Sequence, residues 1–205
     1  MKYLIKVVLL LLTTMFSEIL LAADCPALFK RLDKQSRAIP SSAGKVKQQI
    51  ALEQALFKAI DQCRKFSGMF VLMGELQIEM GQVPLAVVYG RKSVELDSSY
   101  GRAYKLLGSA KILNNESESG LKVLRHAYSI EPKNLNIKLN LVSALIHNNK
   151  FNEGLELVNK VIEKNNPDHI ATAYYLRSQA YKGKGLVIEA DNDLKRAKNL
   201  GFVTQ

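Results

Sequence analysis

A period of 34 residues constrains the fold of this 205-residue chain more than any other feature. Three positions, each preceded by an apolar residue, share this spacing: Gly74, Gly108 and Val142. A small residue follows each of them after twelve positions: Ala86, Gly120 and Gly154. Turn-forming residues recur with the same period: Gly81, Asn115 and Asn149. Self-similarity at a fixed period of this size is the signature of stacked structural units, so the sequence predicts a repeat array.

Each unit is predicted to contain two helices. In the second copy, Tyr104, Leu107 and Ile112 fall at helical spacing, and Leu121 and Leu124 do the same after the turn. Pro132 closes this unit, as a proline does after a helix end. A fourth copy follows after a two-residue insertion within 165–168, with these markers: Tyr174, Ser178, Tyr181, Ala190, Leu194 and Ala197. Glycine costs about 1 kcal/mol in a helix relative to alanine, so Gly108 and Gly120 indicate close helix packing.

This pattern resembles the tetratricopeptide repeat. The second copy matches the family signature best through Tyr104, Leu107-Gly108, Gly120, Ala127 and Pro132, and the fourth copy is next. In the first and third copies, Gly90 and Lys138 stand where a large apolar residue and an aromatic residue are usual. The resemblance covers residues 67–205, divided into repeats 67–100, 101–134, 135–170 and 171–205. It implies an all-α, right-handed solenoid of about four helix-turn-helix repeats.

Two further helices are predicted before the array, at 25–35 and 45–65. The second has apolar residues along one stripe, including Leu52, Leu56 and Cys63, but neither helix carries the small-residue pairs of the repeats. We interpret residues 24–66 as a capping helical pair, because the terminal unit of an array has one face in water.

Residues 1–23 have the three parts of a secretory signal: a basic start, an apolar run from Val7 to Phe16, and a small-residue exit at Ala22-Ala23. They predict an exported protein, which we expect in a bacterial periplasm. The alternative is an uncleaved membrane anchor, although Glu18 makes this segment a poor permanent span. Lipid attachment at Cys25 is disfavoured because the preceding residue is the charged Asp24.

Cys25 and Cys63 are the only two cysteines of the chain. In an oxidising compartment such a pair is best interpreted as a disulfide, and we predict that it joins the two capping helices. The alternative is a redox or metal-binding pair. The chain lacks a two-residue cysteine spacing, and its histidines, His126, His147 and His169, lie far along the sequence, so the structural interpretation is favoured.

The resemblance implies a binding surface on the concave face, which the first helix of each unit lines in this family. Carried onto this chain, that face comprises Val71, Glu75, Ile78, Arg102, Lys105, Ser109, Ile112, Asn136, Leu139, Asn140, Ser143 and Ile146. A specialised form of the family holds a C-terminal carboxylate through Lys and Asn side chains. Lys105 and Asn140 occupy compatible positions, but amide or basic groups are replaced at the remaining positions by Ser109, Thr172 and Leu176. This clamp is therefore incomplete and is not expected here.

No catalytic, cofactor-binding or metal-binding motif is present in the sequence. It has no nucleophile elbow, paired-histidine zinc motif or phosphate loop, and Gly183-Lys184-Gly185 has the character of a turn between helices. We therefore expect a chain that is not an enzyme and has no cofactor.

The net charge of +10 is spread along the chain. Beyond residue 23 there are 27 basic and 18 acidic residues, and the excess is heaviest at 24–66, with nine basic and four acidic residues. Nucleic-acid binding needs a denser basic stripe with stacking aromatic side chains, so it is not expected. An anionic membrane surface or an acidic protein partner fits this charge better, while a solvated basic surface is the commonest explanation of such a charge.

The sequence thus predicts an exported, non-enzymatic scaffold or adaptor that binds a protein or peptide partner on its concave face. Proteins with this general resemblance serve envelope assembly or secretion. The alternative is a structural homo-oligomer, in which the final repeat, with no extra helix after it, associates with a second copy.

Overall fold

A computed structural model of the chain describes residues 25–40 and 44–202. The signal segment predicted at 1–23 lies outside the described residues. Within the described ranges the chain forms ten helices and no strand. None of these helices combines the length and hydropathy of a membrane span. The predicted all-α solenoid is confirmed.

The helices follow one another with short connections. Their bounds are α1 (25–37), α2 (Lys45–Gln62), α3 (Ser67–Glu79), α4 (Val83–Leu96), α5 (Gly101–Leu113), α6 (Ser117–Ile130), α7 (Leu135–His147), α8 (Phe151–Ile162), α9 (Pro167–Gly183) and α10 (Val187–Asn199).

From α3 onward the helices form four antiparallel pairs that stack into two layers. The first helices of successive pairs contact one another, α3 with α5, α5 with α7 and α7 with α9. The second helices, α4, α6, α8 and α10, make no such contacts among themselves in the described part of the chain. Because the first layer is more closely spaced than the second, the array curves toward the layer of α3, α5, α7 and α9, which forms the concave side.

The turn inside each pair has the same backbone geometry. Gly81, Asn115, Asn149 and Gly185 have φ values of 77°, 62°, 56° and 76°. This left-handed conformation suits glycine and, among other residues, asparagine, whose short polar side chain tolerates it. The turn residues recognised from the 34-residue period therefore mark the ends of α3, α5 and α7.

The second pair shows why its small residues are needed. A Cβ atom on Gly120 would lie 2.7 Å from the carbonyl oxygen of Gly108, and one on Gly108 would lie 2.6 Å from Cγ of Leu124. The third pair has Val142 in place of the first glycine and is more open. There, a Cβ atom on Gly154 would find its nearest neighbours at 3.7 Å, an ordinary contact distance.

The boundary between the third and fourth repeats differs from the predicted one at 170/171. Helix α9 begins at Pro167, because the Asn166 side chain caps it by accepting a hydrogen bond from the Asp168 amide at 3.0 Å. The connection after α8 has the same four residues as those after α4 and α6, and the inserted residues instead lengthen α9, which has 17 residues against 13 in α7.

Helices α1 and α2 are tied together at the start of the array. Cys25 and Cys63 form a disulfide, with their Cα atoms 5.9 Å apart, as the sequence predicts. Phe29 of α1 packs against Phe66 at a ring separation of 5.5 Å, and Leu32 is buried in the same core. Helix α2 adds Leu56 and Ala59 to this core and contacts α3.

Candidate functional site

A groove of about 660 Å³ lies on the concave side of the first half of the array. Helices α3, α5 and α7 form its floor, and α1 closes one end. The side chains along it change in character from charged beside α1 to uncharged amide and hydroxyl groups beside α7. We call these the charged half and the amide half of the groove.

The charged half is an ion-pair network centred on Glu75 and Arg102. Arg102 donates to the Glu75 carboxylate through Nε at 3.2 Å and also through Nη2. The Nζ of Lys105 lies 3.1 Å from Glu75 Oε1. The same Arg102 guanidinium reaches Asp33 Oδ1 of α1 at 2.8 Å, and it lies 5.8 Å from the centre of the Phe29 ring.

The pKa values of these groups follow from this packing. Burial raises the pKa of Glu75, but the Lys105 ammonium and the Arg102 guanidinium together outweigh it, so the pKa lies below its usual value. Burial lowers the pKa of Arg102, whereas the hydrogen bonds and charges of Glu75 and Asp33 raise it by more, and the guanidinium stays charged. Both groups are therefore ionised and paired at neutral pH.

The amide half is a chain of hydrogen bonds between hydroxyl, amide and imidazole groups across three helices. Ser109 of α5 donates to Oδ1 of Asn140 at 2.9 Å, and Nδ2 of Asn140 donates to the Asn136 backbone carbonyl at 2.8 Å. The Asn136 side-chain oxygen lies 3.2 Å from Nε2 of His169, while Nδ1 of that ring lies 2.9 Å from the Asn166 side-chain oxygen. This network links α5, α7 and the start of α9.

Most of the residues expected on the concave face line this groove. They are Glu75, Ile78, Arg102, Lys105, Ser109, Asn136 and Asn140. Lys105 and Asn140, the two positions compatible with a carboxylate clamp, already pair with Glu75 and Ser109.

Several expected residues lie elsewhere. Leu139 is only 6% exposed, because it packs with Val142 and Val158 in the core between α7, α8 and α9. Val71 is fully buried between α3 and α5. Leu139 and Val71 are therefore core residues, and placing them on the binding surface was wrong.

Three other expected residues are outside the cavity lining: Ile112, Ser143 and Ile146. Ile112 turns toward α6, where a Cβ atom on Gly120 would lie 2.6 Å from its Cγ1. Ser143 and Ile146 are half-buried, and Ile146 packs against the core that contains Leu139.

The groove also contains residues that the repeat pattern did not identify. Asp33, Ser36 and Arg37 come from α1, which the sequence assigned only to capping. Glu79 and Leu113 lie one helical turn after Glu75 and Ser109, so continuing the four-residue spacing would have found both. Leu113 is 54% exposed, which makes it the most open apolar side chain of the lining.

The three histidines are dispersed. His126 on α6 packs edge-on against Tyr104 at 4.5 Å, His147 is exposed at the end of α7, and His169 belongs to the amide half. Across the ranges 25–40 and 44–202, no three His, Cys, Asp or Glu side chains are placed to hold a metal ion.

Comparison with known proteins points to one family. The family model described as tetratricopeptide repeat matches residues 112–179, from the end of α5 into α9. No curated protein matches the sequence.

Several solved structures share the fold. A crystal structure of MamA protein superposes with a TM-score of 0.60 at 20% identity, covering 87% of this chain and 92% of that one. TTC0263, a thermophilic TPR protein of Thermus thermophilus, has a TM-score of 0.65 at 15% identity, covering 76% and 84%. YrrB, described as a TPR protein with an unusual peptide-binding site, has a TM-score of 0.57 at 17% identity, covering 77% and 80%. The 34-residue period, the paired helices and the family match over residues 112–179 together identify tetratricopeptide repeats in this chain.

Proposed function

We propose that this protein is an exported, non-enzymatic adaptor that holds a segment of a protein partner in the groove. The observation that carries the proposal is the groove itself, a cavity of about 660 Å³ on the concave side with both polar and apolar groups in its lining. The fold shared with YrrB, which has a peptide-binding site, supports the same class of function.

The charges of the lining indicate which kind of segment fits. Its three carboxylates, on Asp33, Glu75 and Glu79, are matched in number by the cations Arg37, Arg102 and Lys105. Since Arg102 and Lys105 are paired with Glu75, their charges are satisfied before a partner arrives. A strongly acidic segment therefore gains little here. An uncharged segment can use the amides of Asn136 and Asn140 for hydrogen bonds and Leu113 for apolar contact.

The proposed cellular location is supported by different observations. The three-part pattern of residues 1–23 supports export, and the Cys25–Cys63 disulfide is the kind of bond that persists in an oxidising compartment. We therefore place the adaptor in the periplasm of a bacterial envelope, in the assembly of envelope components or in secretion. An uncleaved N-terminal segment would place it at the membrane of the same compartment.

Site-specific photo-cross-linking in intact cells tests the groove. A photoreactive phenylalanine analogue replaces Leu113 or Asn136 in the groove, and Leu85 on the outer layer serves as the matched control because it is exposed to a similar degree as Leu113. We expect a discrete protein adduct from the groove positions and none from position 85. Equal adducts from all three positions, or none from the groove, would contradict the proposal.

A specific feature of α10 favours homo-oligomerisation as a second candidate. Val187 and Ile188 are 62% and 75% exposed at the start of α10 and form a small apolar surface there. If two copies associate through this end, light scattering detects a dimer in the wild type and a monomer in the Val187→Gln, Ile188→Gln variant. A monomeric wild type rejects this candidate.

A further inference from the structure

Helix α2 has two apolar stripes, and only one of them faces the core. The inner stripe contains Leu52, Leu56 and Ala59, which are buried. The outer stripe contains Val46, Ile50 and Phe57, which are 65%, 44% and 52% exposed. Spacings of four and seven residues place these three side chains on one face of the helix. The folded array therefore leaves a row of large apolar groups in water.

Lysines border this outer stripe. Lys47 and Lys58 each directly follow a residue of the stripe, and both are exposed. Neither makes an ion pair within the described ranges. Of the α2 carboxylates, Asp61 pairs with Arg64, while Glu53 has no ion pair in the described ranges and accepts a hydrogen bond at 2.7 Å from the uncharged Gln77 side chain of α3.

Helix α1 also carries exposed basic side chains. Lys30, Arg31 and Lys34 of α1 are exposed, and they also lack an ion-pair partner among residues 25–40 and 44–202. The one carboxylate on this helix, Asp33, is held by Arg37 and Arg102. This end of the molecule thus combines exposed apolar side chains with basic side chains that make no ion pair within the described ranges.

We propose that the outer stripe of α2 docks on the surface of an anionic lipid bilayer. An interfacial helix binds in this way, with apolar side chains at the boundary between headgroups and acyl chains and with lysines at the anionic headgroups. The apolar run from Val7 to Phe16 precedes α1 in the sequence, and the anchor alternative for it would hold this end of the chain at a membrane.

A second copy of the chain is a poorer occupant for the same stripe. Beyond residue 23 the chain carries 27 basic and 18 acidic residues, so two copies repel each other on average. An isologous contact through α2 would also bring Lys47 and Lys58 of both copies close together. An anionic bilayer takes up the apolar groups and attracts the lysines at once.

Vesicle flotation tests this surface. The full chain is expressed, its N-terminus is identified by mass spectrometry, and all variants are compared in that same form. Vesicles of phosphatidylcholine with about one third phosphatidylglycerol supply the anionic surface, and vesicles of phosphatidylcholine alone supply the neutral one. We expect the wild type to float with the anionic vesicles and to lose affinity as salt is added.

Two variants of α2 separate the contribution of the lysines from that of the apolar side chains. Lys47→Gln with Lys58→Gln should weaken binding by about 30-fold, the effect of two lysines near an anionic surface. Ile50→Gln with Phe57→Gln should weaken binding to a similar or greater extent. The matched controls at the other end of the array are Lys195→Gln with Lys198→Gln, and Val187→Gln with Ile188→Gln, whose side chains are also exposed.

The outcomes decide the proposal. Weaker binding in both α2 variants, with unchanged binding in both controls and unchanged circular dichroism, supports it. Equal binding of all variants overturns it and assigns any membrane affinity to other residues. Absence of vesicle binding, together with a wild-type dimer that the Ile50→Gln, Phe57→Gln variant loses, also overturns it and assigns the stripe to a second copy. The groove adducts at Leu113 are independent of these results.

Discussion

The two halves of the groove use polar groups in different ways. In the charged half, Arg102 and Lys105 are committed to Glu75 and Asp33, and these ion pairs hold α1, α3 and α5 together. In the amide half, Ser109, Asn136 and Asn140 form weaker, uncharged hydrogen bonds. The charged half thus mainly stabilises the packing of α1, α3 and α5. The amide half offers hydrogen-bonding groups whose weaker internal bonds a partner can replace with its own. Four predictions test this difference.

The largest expected effect is that of the disulfide, which anchors α1 beside the charged half. A loop of this length contributes about 4 kcal/mol in the chain-entropy model, so Cys25→Ser with Cys63→Ser should lower the unfolding free energy by about that amount. Hydrogen exchange should show faster exchange in α1 and α3 and little change in α7. Chemical denaturation measures the loss of unfolding free energy, and wild type with a reductant, which should match the variant, is the control. Identical denaturation midpoints for the oxidised wild type and the variant would contradict the prediction.

Removing the central guanidinium should have the next largest effect. Arg102→Gln leaves the half-buried carboxylates of Glu75 and Asp33 without their shared partner, and we expect a loss of about 2–3 kcal/mol. The matched control is Arg125→Gln, which breaks an exposed pair with Glu153 and should cost less than about 1 kcal/mol. If denaturant titrations give equal losses of unfolding free energy for both variants, the charged half does not stabilise the packing of α1, α3 and α5.

Acid should weaken the charged half selectively. The folded pKa of Glu75 is below its unfolded value, so its contribution to stability is fully present above the unfolded pKa near 4.5. That contribution is lost as the pH falls through the lower folded pKa. Unfolding free energies measured between pH 7 and pH 3 should therefore fall less steeply for Glu75→Gln than for the wild type. Parallel curves would show that Glu75 does not carry this dependence.

Changes in the amide half should have the smallest effect on stability and a large effect on binding. Ser109→Ala with Asn140→Ala removes both partners of one hydrogen bond, which should cost less than about 1 kcal/mol. The yield of cross-linked adduct from position 113 should fall severalfold because the partner loses its polar contacts. A normal yield from a folded variant would show that the partner does not use these side chains.

The repeat architecture could be predicted because it depends on local contacts with a fixed period. The close approach of Gly108 and Gly120 occurs within a single repeat, and so do the left-handed turns at Asn115 and Asn149. Such features can be recognised from the sequence of one repeat alone. The early start of α9 was missed because the regular repeat spacing predicts a later start, whereas the Asn166 side chain caps the helix inside the insertion.

The groove was only partly predictable. Helical spacing predicts which residues share one face of a helix, but not which residues of other helices pack against that face. Leu139 was placed on the surface, yet the packing of α8 and α9 encloses it. Lys105 was expected to face a partner, but the sequence does not show that Glu75 comes within 3.1 Å of it. The participation of α1 was missed for the same reason, since Asp33 and Arg102 are 69 residues apart.

That separation has a consequence for synthesis. Contacts between successive units of the array join residues about one period apart, such as Ser109 with Asn140 and Asn136 with His169, so each helix pair can pack soon after it is made. Helix α1 is made first, but Asp33 meets Arg102 only after 69 further residues have followed. The end of the groove that is translated earliest is therefore completed only once the second repeat exists. In a chain interrupted before Arg102, Asp33 keeps only its pair with Arg37 and this end of the groove is not closed.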